Sequence, residues 1–255
     1  MLINPSSSSW EQGSTVNISA RSDTAQGKRL LMAAALKLAA DSRSVTSLGL
    51  RELAREAGLN PNTFYRHFRN IDELGLAIVE DVAGQLRQPL RALRYQAAAS
   101  VSGASEVAPG GTLHFERGRR VNEETVRLFF NFVAEHPAAF IIGVRELHGA
   151  SPALRQAVRE VMQGFSEDMV EDIRKLALLP GVDDDTVSEL AAAVTRQMFQ
   201  MSLDYIEATL DQREMIIDQA ARQIFMLFTG AMVLKGLQPL QAMTNPPNPR
   251  KSPEA

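Results

Sequence analysis

Cysteine is absent from the 255 residues, and histidine is scarce. The lack of cysteine excludes disulfides, thiolate metal sites and cysteine nucleophiles, and it favours a reducing compartment. The four histidines, His67, His114, His136 and His148, are too widely spaced for a metal-ligand motif. Paired acid–base groups, nucleophile motifs and phosphate-binding loops are missing as well. We therefore expect no catalytic residues, no metal and no cofactor, so the chain is not predicted to be an enzyme.

Long hydrophobic runs are also missing. The longest, from Ile224 to Leu234, is shorter than the ~20 residues that cross a bilayer. The N-terminus lacks the basic start and apolar block of a secretory signal. We therefore expect a cytoplasmic protein with no membrane partner. Period-two runs of β-branched residues are scarce, whereas Ala, Leu, Arg, Glu, Gln and Met are abundant, which predicts an all-α protein.

Charge is distributed unevenly along the chain. The formal net charge is −3. Between Arg21 and Asn70, however, nine basic residues face four acidic ones, while from Gln96 onward fifteen basic residues face twenty-one acidic ones. The N-terminal part is thus basic and the rest of the chain acidic. This distribution indicates that the N-terminal part binds an anionic partner such as nucleic acid.

Helical periodicity and helix breakers organise the rest of the chain. Residues 1–21 and 238–255 are predicted to be disordered tails, and a Gly-rich loop is predicted over 100–120. Pro89 is expected to kink the fourth helix. The predicted helices span 23–40, 50–57, 61–68, 70–98, 123–135, 137–148, 152–178, 184–209 and 212–237.

Residues 50–68 predict a helix-turn-helix. Gly58 supplies the positive φ of a tight turn, and the next helix starts at once with Asn60 as its N-cap and a proline at its first position. Phe64 and Phe68 lie four residues apart and face the core. A three-helix DNA-binding domain is therefore predicted over 22–70, followed by a ligand-binding and dimerisation domain over 71–237.

The outward face of this motif carries groups that suit DNA. Asn62 and Thr63, at the start of the second helix of the pair, are predicted to meet base edges or the nearby backbone. Tyr65 and His67 are predicted to hold phosphates, and Arg66 either phosphates or bases. The remaining predicted DNA contacts are Lys28, Arg29, Ser47, Arg51 and Arg69. The alternatives are a helical hairpin with a solvated polar face, or an interaction module that meets an acidic protein.

The motif resembles the TetR family of repressors. The sequence Phe-Tyr-Arg-His-Phe-Arg-Asn-Ile-Asp-Glu-Leu over 64–74 carries this resemblance, with Ile71 where most members have lysine. Residues 51–58, 68–75 and 140–157 are similar to the branch that regulates unsaturated fatty acid synthesis. The resemblance implies a homodimeric repressor on palindromic double-stranded DNA, fatty-acid genes as targets and a hydrophobic effector such as a long-chain acyl-CoA. A drug-like hydrophobe is the alternative effector.

Candidate residues in the second domain are mostly apolar. Arg145 with Glu146 is the exception, and this charged pair could be a structural bridge or could meet a polar ligand group. For the apolar ligand candidates, a plain core role is the alternative. The predicted ligand-binding residues are Phe129, Phe132, Phe140, Arg145, Phe165 and Met169. The predicted dimerisation residues, on the last two helices, are Met198, Ile217, Ile224, Phe228 and Ala231. The ligand is expected to act by shifting the fourth helix, which joins the two domains.

Overall fold

The computed structural model describes the backbone of residues 12–40, 44–102 and 112–244, and the side chains of 25–40, 44–100 and 115–235. Over these ranges the backbone forms nine α-helices, a short 3-10 turn (Val45–Ser47) and no strand, which confirms the all-α class. The helices are α1 (Gln12–Ala40), α2 (Leu50–Glu56), α3 (Pro61–His67), α4 (Ile71–Ser102), α5 (Thr112–Glu135), α6 (Pro137–Leu147), α7 (Pro152–Lys175), α8 (Asp184–Glu207) and α9 (Leu210–Thr244).

The helix-turn-helix forms as its sequence predicts. Gly58 adopts φ +67° between α2 and α3, a conformation that costs little only for glycine. The Asn60 side chain accepts a hydrogen bond from the N–H of Asn62 at 2.9 Å and so caps α3. Phe64 and Phe68 are buried in the same core. The two helices are thereby held at a fixed angle to each other.

The core of the helix-turn-helix part extends beyond residue 70. Leu74 and Ile78 of α4, Ile142 of α6 and Leu154 of α7 pack into the same apolar cluster as Phe64. The start of α4 is capped by Asn70, whose Oδ1 accepts the N–H of Glu73 at 2.9 Å. Because α4 begins inside this cluster and continues into the second part of the chain, a displacement of α4 reaches both parts.

Helices α4 and α7 run parallel, side by side. A Cβ on Gly75 would lie 2.7 Å from a methyl carbon of Leu154, so the two helices touch there because Gly75 has no side chain. Farther along, Arg87 packs beside Gly164. Near the end of both helices Arg94 pairs with Asp172. The two helices therefore remain in contact along most of their length.

Several predicted boundaries are wrong. Residues 12–21 are helical in α1 and residues 238–244 are helical in α9, although both were expected in tails. Extending an existing helix adds one hydrogen bond per residue, which can outweigh a polar composition. Residues 112–120 belong to α5 rather than to the loop, since ion pairs of Arg119 and Arg120 with residues four positions on favour the helix. Residues 1–11, 103–111 and 245–255 lie outside the described residues.

Candidate nucleic-acid interface and ligand cavity

The outer face of α3 is polar, whereas its inner face is locked into the core. Phe64 is fully buried, and the next residue, Tyr65, is 63% exposed with its ring edge-on to Phe64 at 5.6 Å. Asn62 is exposed at the start of the helix, and Thr63 is half-buried beside it. The structure therefore brings the predicted base-contacting residues and Tyr65 onto one accessible face.

Exposed positive charges lie on all three helices of this part. Lys28 and Arg29 on α1, Arg51 on α2 and Arg66 on α3 are all exposed. The ammonium of Lys28 lies 5.7 Å from the ring centre of Phe68, an arrangement that positions it by cation–π attraction. These groups come from three helices, so together they can neutralise several phosphates.

Two predicted contacts are already engaged within the chain. Arg69 is exposed but forms an ion pair with Glu73 at 3.2 Å. The pKa of Glu73 is lowered, first by the hydrogen bond that its carboxylate accepts from the backbone N–H of Arg69. The hydroxyl of Ser47 donates to the carbonyl of Ser44 at 2.7 Å. Ser47 can donate to a phosphate only after that bond is broken.

His67 fits a packing role better than the predicted phosphate contact. Its ring is half-buried, and its Nε2 lies 2.6 Å from the position of a Cβ on Gly27. Burial, followed by the charges of Arg66 and Lys28, lowers the pKa of His67. The imidazole is thus neutral at pH 7, and it fills the gap that Gly27 leaves between α1 and α3.

A cavity of about 180 Å³ lies among the helices of the second part. On α4 its wall runs from Ile78 to Arg94, and on α7 from Val158 to Ile173. At 1.5 Å per residue, these two parallel stretches are roughly 24 Å and 22 Å long. Helix α6 contributes residues from Ala139 to Gly143. A small volume stretched over such a length makes the cavity long and narrow.

Four of the six predicted ligand-binding residues line this cavity: Phe129, Phe140, Phe165 and Met169. Phe132 does not line the cavity, because its ring stacks on His136 with centroids 4.2 Å apart. Arg145 does not line the cavity either. Arg145 turns toward α1 and donates to the carbonyl of Ala39 at 2.6 Å.

The sequence reasoning missed the polar residues of the cavity. Arg94 is 5% exposed, and its Nε and Nη2 both bond the fully buried carboxylate of Asp172, at 2.8 and 2.7 Å. Asn122 donates to the carbonyl of Ala221 at 2.7 Å. The hydroxyl oxygen of Thr125 is buried and has no hydrogen-bond partner. The sequence does contain an indication of this pairing, because basic and acidic residues recur at the same helical spacing on α4 and α7. They are Arg87, Arg91 and Arg94 on α4 and Asp168, Glu171 and Asp172 on α7.

The predicted dimerisation residues face the interior of the subunit. Met198, Ile217, Ile224 and Ala231 are at most 9% exposed, and the partly buried Phe228 lines the cavity. The broader apolar stripe of α9 packs on α5 and forms core together with Met198 of α8, so burial within the subunit argues against an interface role for these residues. A second apolar stripe of α9 is exposed instead. It consists of Met215, Met226, Leu227, Val233 and Leu234.

Neither a membrane-spanning helix nor a metal site was found in the described part of the chain. None of its helices has a sufficiently long apolar stretch to cross a bilayer. No group of three or more His, Asp or Glu side chains is placed to hold a metal ion there.

Comparison with known proteins gives one family match and several similar folds. Residues 31–78 match bacterial regulatory proteins of the tetR family. The fatty acid degradation regulator FadR from Bacillus halodurans is 13% identical, with 80% of this chain and 95% of that chain covered at a TM-score of 0.55. FadR from Bacillus subtilis in complex with stearoyl-CoA is 15% identical, with 79% and 98% covered and a TM-score of 0.53.

A TetR-family regulator described for Syntrophomonas wolfei has the same fold. It is 18% identical, with 80% of this chain and 95% of that chain covered at a TM-score of 0.57. At these identities the similarity establishes the fold of the chain.

Proposed function

We propose that this chain, whose residues 31–78 match the tetR family, is a TetR-type regulator of transcription: a homodimeric repressor whose affinity for DNA is controlled by a long-chain acyl-CoA. The observation that carries this proposal is the cavity beside α4. One wall of the cavity is formed by α4, which begins in the core of the helix-turn-helix at Leu74 and Ile78. A ligand in the cavity therefore contacts the helix that supports the DNA-binding face.

The shape of the cavity favours a slender chain over a bulky hydrophobe. The cavity's volume of about 180 Å³ is spread over roughly 24 Å of α4. Its walls are apolar from Ile78 to Leu90. A straight acyl chain matches both features. The stearoyl-CoA bound to the FadR of Bacillus subtilis belongs to this chemical class.

The exposed stripe of α9 supports a dimer. Met215, at 67% exposed, and Leu234, at 66%, represent an apolar face that packs on no other part of the described chain. A second copy of the same face would remove it from water. Two subunits related by a dyad would present two copies of α3 to successive major grooves of a palindromic site.

The test uses the full chain and an operator selected from random-sequence DNA. Its affinity for that operator is measured by fluorescence anisotropy with saturating stearoyl-CoA and with coenzyme A alone as the control. We expect stearoyl-CoA to change the affinity by about fivefold or more, and coenzyme A to leave it unchanged. Sedimentation analysis should give the mass of a dimer. Sequence-specific DNA binding without any effect of stearoyl-CoA would contradict the ligand class and leave the DNA-binding role in place.

A further inference from the structure

The end of the cavity nearest the DNA-binding part is closed by residues of the DNA-binding core itself. Ile78 of α4 and Ile142 of α6 both line the cavity, and both are 2% exposed. The same two side chains pack in one apolar cluster with Phe64 and Phe68, which hold α3 in place. A group that presses on this end of the cavity therefore presses directly on the core that sets the position of α3.

The opposite end of the cavity is polar and reaches the surface. Arg94 and Asn122 line it there, and Thr125 follows Asn122 by one turn on the same face of α5. Phe115 also lines the cavity and is 39% exposed, so the cavity opens to solvent near the start of α5. The unpartnered hydroxyl of Thr125 can donate to a carbonyl oxygen.

The charges at the open end favour a neutral polar group. Arg94 is already paired with Asp172, whose carboxylate is fully buried. An additional carboxylate at that end would lie near the buried negative charge of Asp172, and this repulsion is costly in a buried setting. A thioester carbonyl needs only a donor such as the hydroxyl of Thr125. The cavity thus suits an apolar chain that ends in a neutral carbonyl.

We infer that the protein measures the length of the bound acyl chain: the thioester lies by Thr125, the tail runs along α4, and only a tail that reaches Ile78 and Ile142 alters DNA binding. This inference rests on the proposed acyl-CoA ligand. Chains that end short of these residues occupy the cavity without touching the DNA-binding core. Binding and regulation therefore have different dependences on chain length.

The experiment compares octanoyl-, lauroyl-, palmitoyl- and stearoyl-CoA, each at a concentration that saturates the protein. Calorimetry is expected to show an affinity that rises about fourfold with each added methylene until the cavity is filled. At saturation, octanoyl-CoA is expected to change the DNA affinity by less than about twofold and stearoyl-CoA by about fivefold or more. A step in the DNA response with chain length, at full occupancy, supports the inference.

Two variants move the closed end of the cavity. Val82 lines the cavity one turn from Ile78, so Val82→Phe shortens it, and the response should then appear with a shorter chain. Ile142→Val lengthens it slightly with little risk to folding, and the response should then require a longer chain. Met232→Phe is the matched control, because Met232 lines the cavity at its open end. It should change affinity without changing the chain length that triggers the response.

The outcomes separate this inference from the proposed function. If all four acyl-CoAs at saturation change DNA affinity equally, length measurement is wrong although the ligand class stands. The same conclusion follows if Val82→Phe and Ile142→Val leave the triggering length unchanged. If none of the four binds in the calorimeter, the proposed ligand class is wrong, and the inference is overturned with it.

Discussion

Ser44 donates its hydroxyl to the carboxylate of Glu146 at 2.6 Å, across 102 positions of the sequence. The same carboxylate oxygen accepts the backbone N–H of Val45 at 2.8 Å, and Glu146 is 1% exposed. Ser44 is the N-cap of the 3-10 turn that leads into α2. Three residues before Glu146, Gly143 lines the ligand cavity. Helix α6 therefore connects the cavity to the helix-turn-helix part through a second contact, in addition to that of α4.

Ser44→Ala should lower the free energy of unfolding by about 1.5–3 kcal/mol, because a buried carboxylate loses one of its two donors. Chemical denaturation measures this change. Ser47→Ala is the control, since Ser47 is exposed and bonds only the neighbouring carbonyl of Ser44. Its effect should stay within about 0.5 kcal/mol. Equal effects of the two substitutions would show that the hydrogen bond from Ser44 to Glu146 does not stabilise the fold more than the exposed bond of Ser47 does.

Asp172→Ala should destabilise the protein by about 3–5 kcal/mol, because it leaves the guanidinium of Arg94 buried without its partner charge. Arg94 and Asp172 are 5% and 0% exposed. Glu123→Gln removes a partner of Arg119 in a pair whose side chains are 45% and 44% exposed, and should cost less than about 1 kcal/mol. Urea denaturation compares the two variants. A loss below about 1 kcal/mol for Asp172→Ala would contradict the importance of the buried pair.

Tyr65→Ala should weaken binding to specific and random DNA alike, by roughly tenfold, since a hydrogen bond to a charged phosphate is worth about 1.5 kcal/mol or more. Tyr65 is 63% exposed and lies beside the buried Phe64, so its removal should leave the fold intact. Anisotropy titrations on both DNAs measure the effect. Tyr95→Ala is the control, because Tyr95 is 37% exposed but lies on α4 away from α3.

Asn62→Ala should change the preference among operators. A base-edge contact discriminates between bases by about 1–3 kcal/mol, so the loss should appear at one or two base positions and be small on random DNA. Asn62 is exposed at the start of α3, where side chains of this motif reach the bases. Binding to a panel of single-base operator variants provides the measurement. A uniform loss on all sequences would assign Asn62 to the DNA backbone instead.

DNA affinity should fall steeply as salt rises, because the cations of α1, α2 and α3 release counterions from phosphates. Arg51→Gln should reduce the slope of log affinity against log salt by about one, as expected for one phosphate contact. The comparison variant is Arg120→Gln, since Arg120 is exposed and paired with Glu124 on α5. An unchanged slope in Arg51→Gln would place Arg51 outside the DNA contact.

Local sequence was sufficient for the helix-turn-helix. Gly58 at a positive φ, Asn60 as a cap and the buried Phe64 are interactions within a few residues of one another, so their spacing predicts them directly. The same reasoning failed for Arg145. Its partner, the carbonyl of Ala39, is 106 positions away, and no local pattern indicates that contact.

The apolar helices show the limit of periodicity. The stripe through Ile217 and Ile224 was identified correctly as apolar, but periodicity does not say whether such a stripe faces its own core or a second subunit. For the same reason, periodicity could not distinguish Phe129, which lines the cavity, from Phe132, which stacks on His136.

The sequence by itself determined the all-helical class, the helix-turn-helix and the polar residues on the outer face of α3, because each depends on interactions between residues a few positions apart. Only the tertiary structure decided which apolar side chains surround the cavity, which remain on the surface, and that Ile78 and Ile142 belong to both the cavity and the helix-turn-helix core. Those assignments depend on how distant helices pack against each other, and the burial of a side chain is a property of that packing.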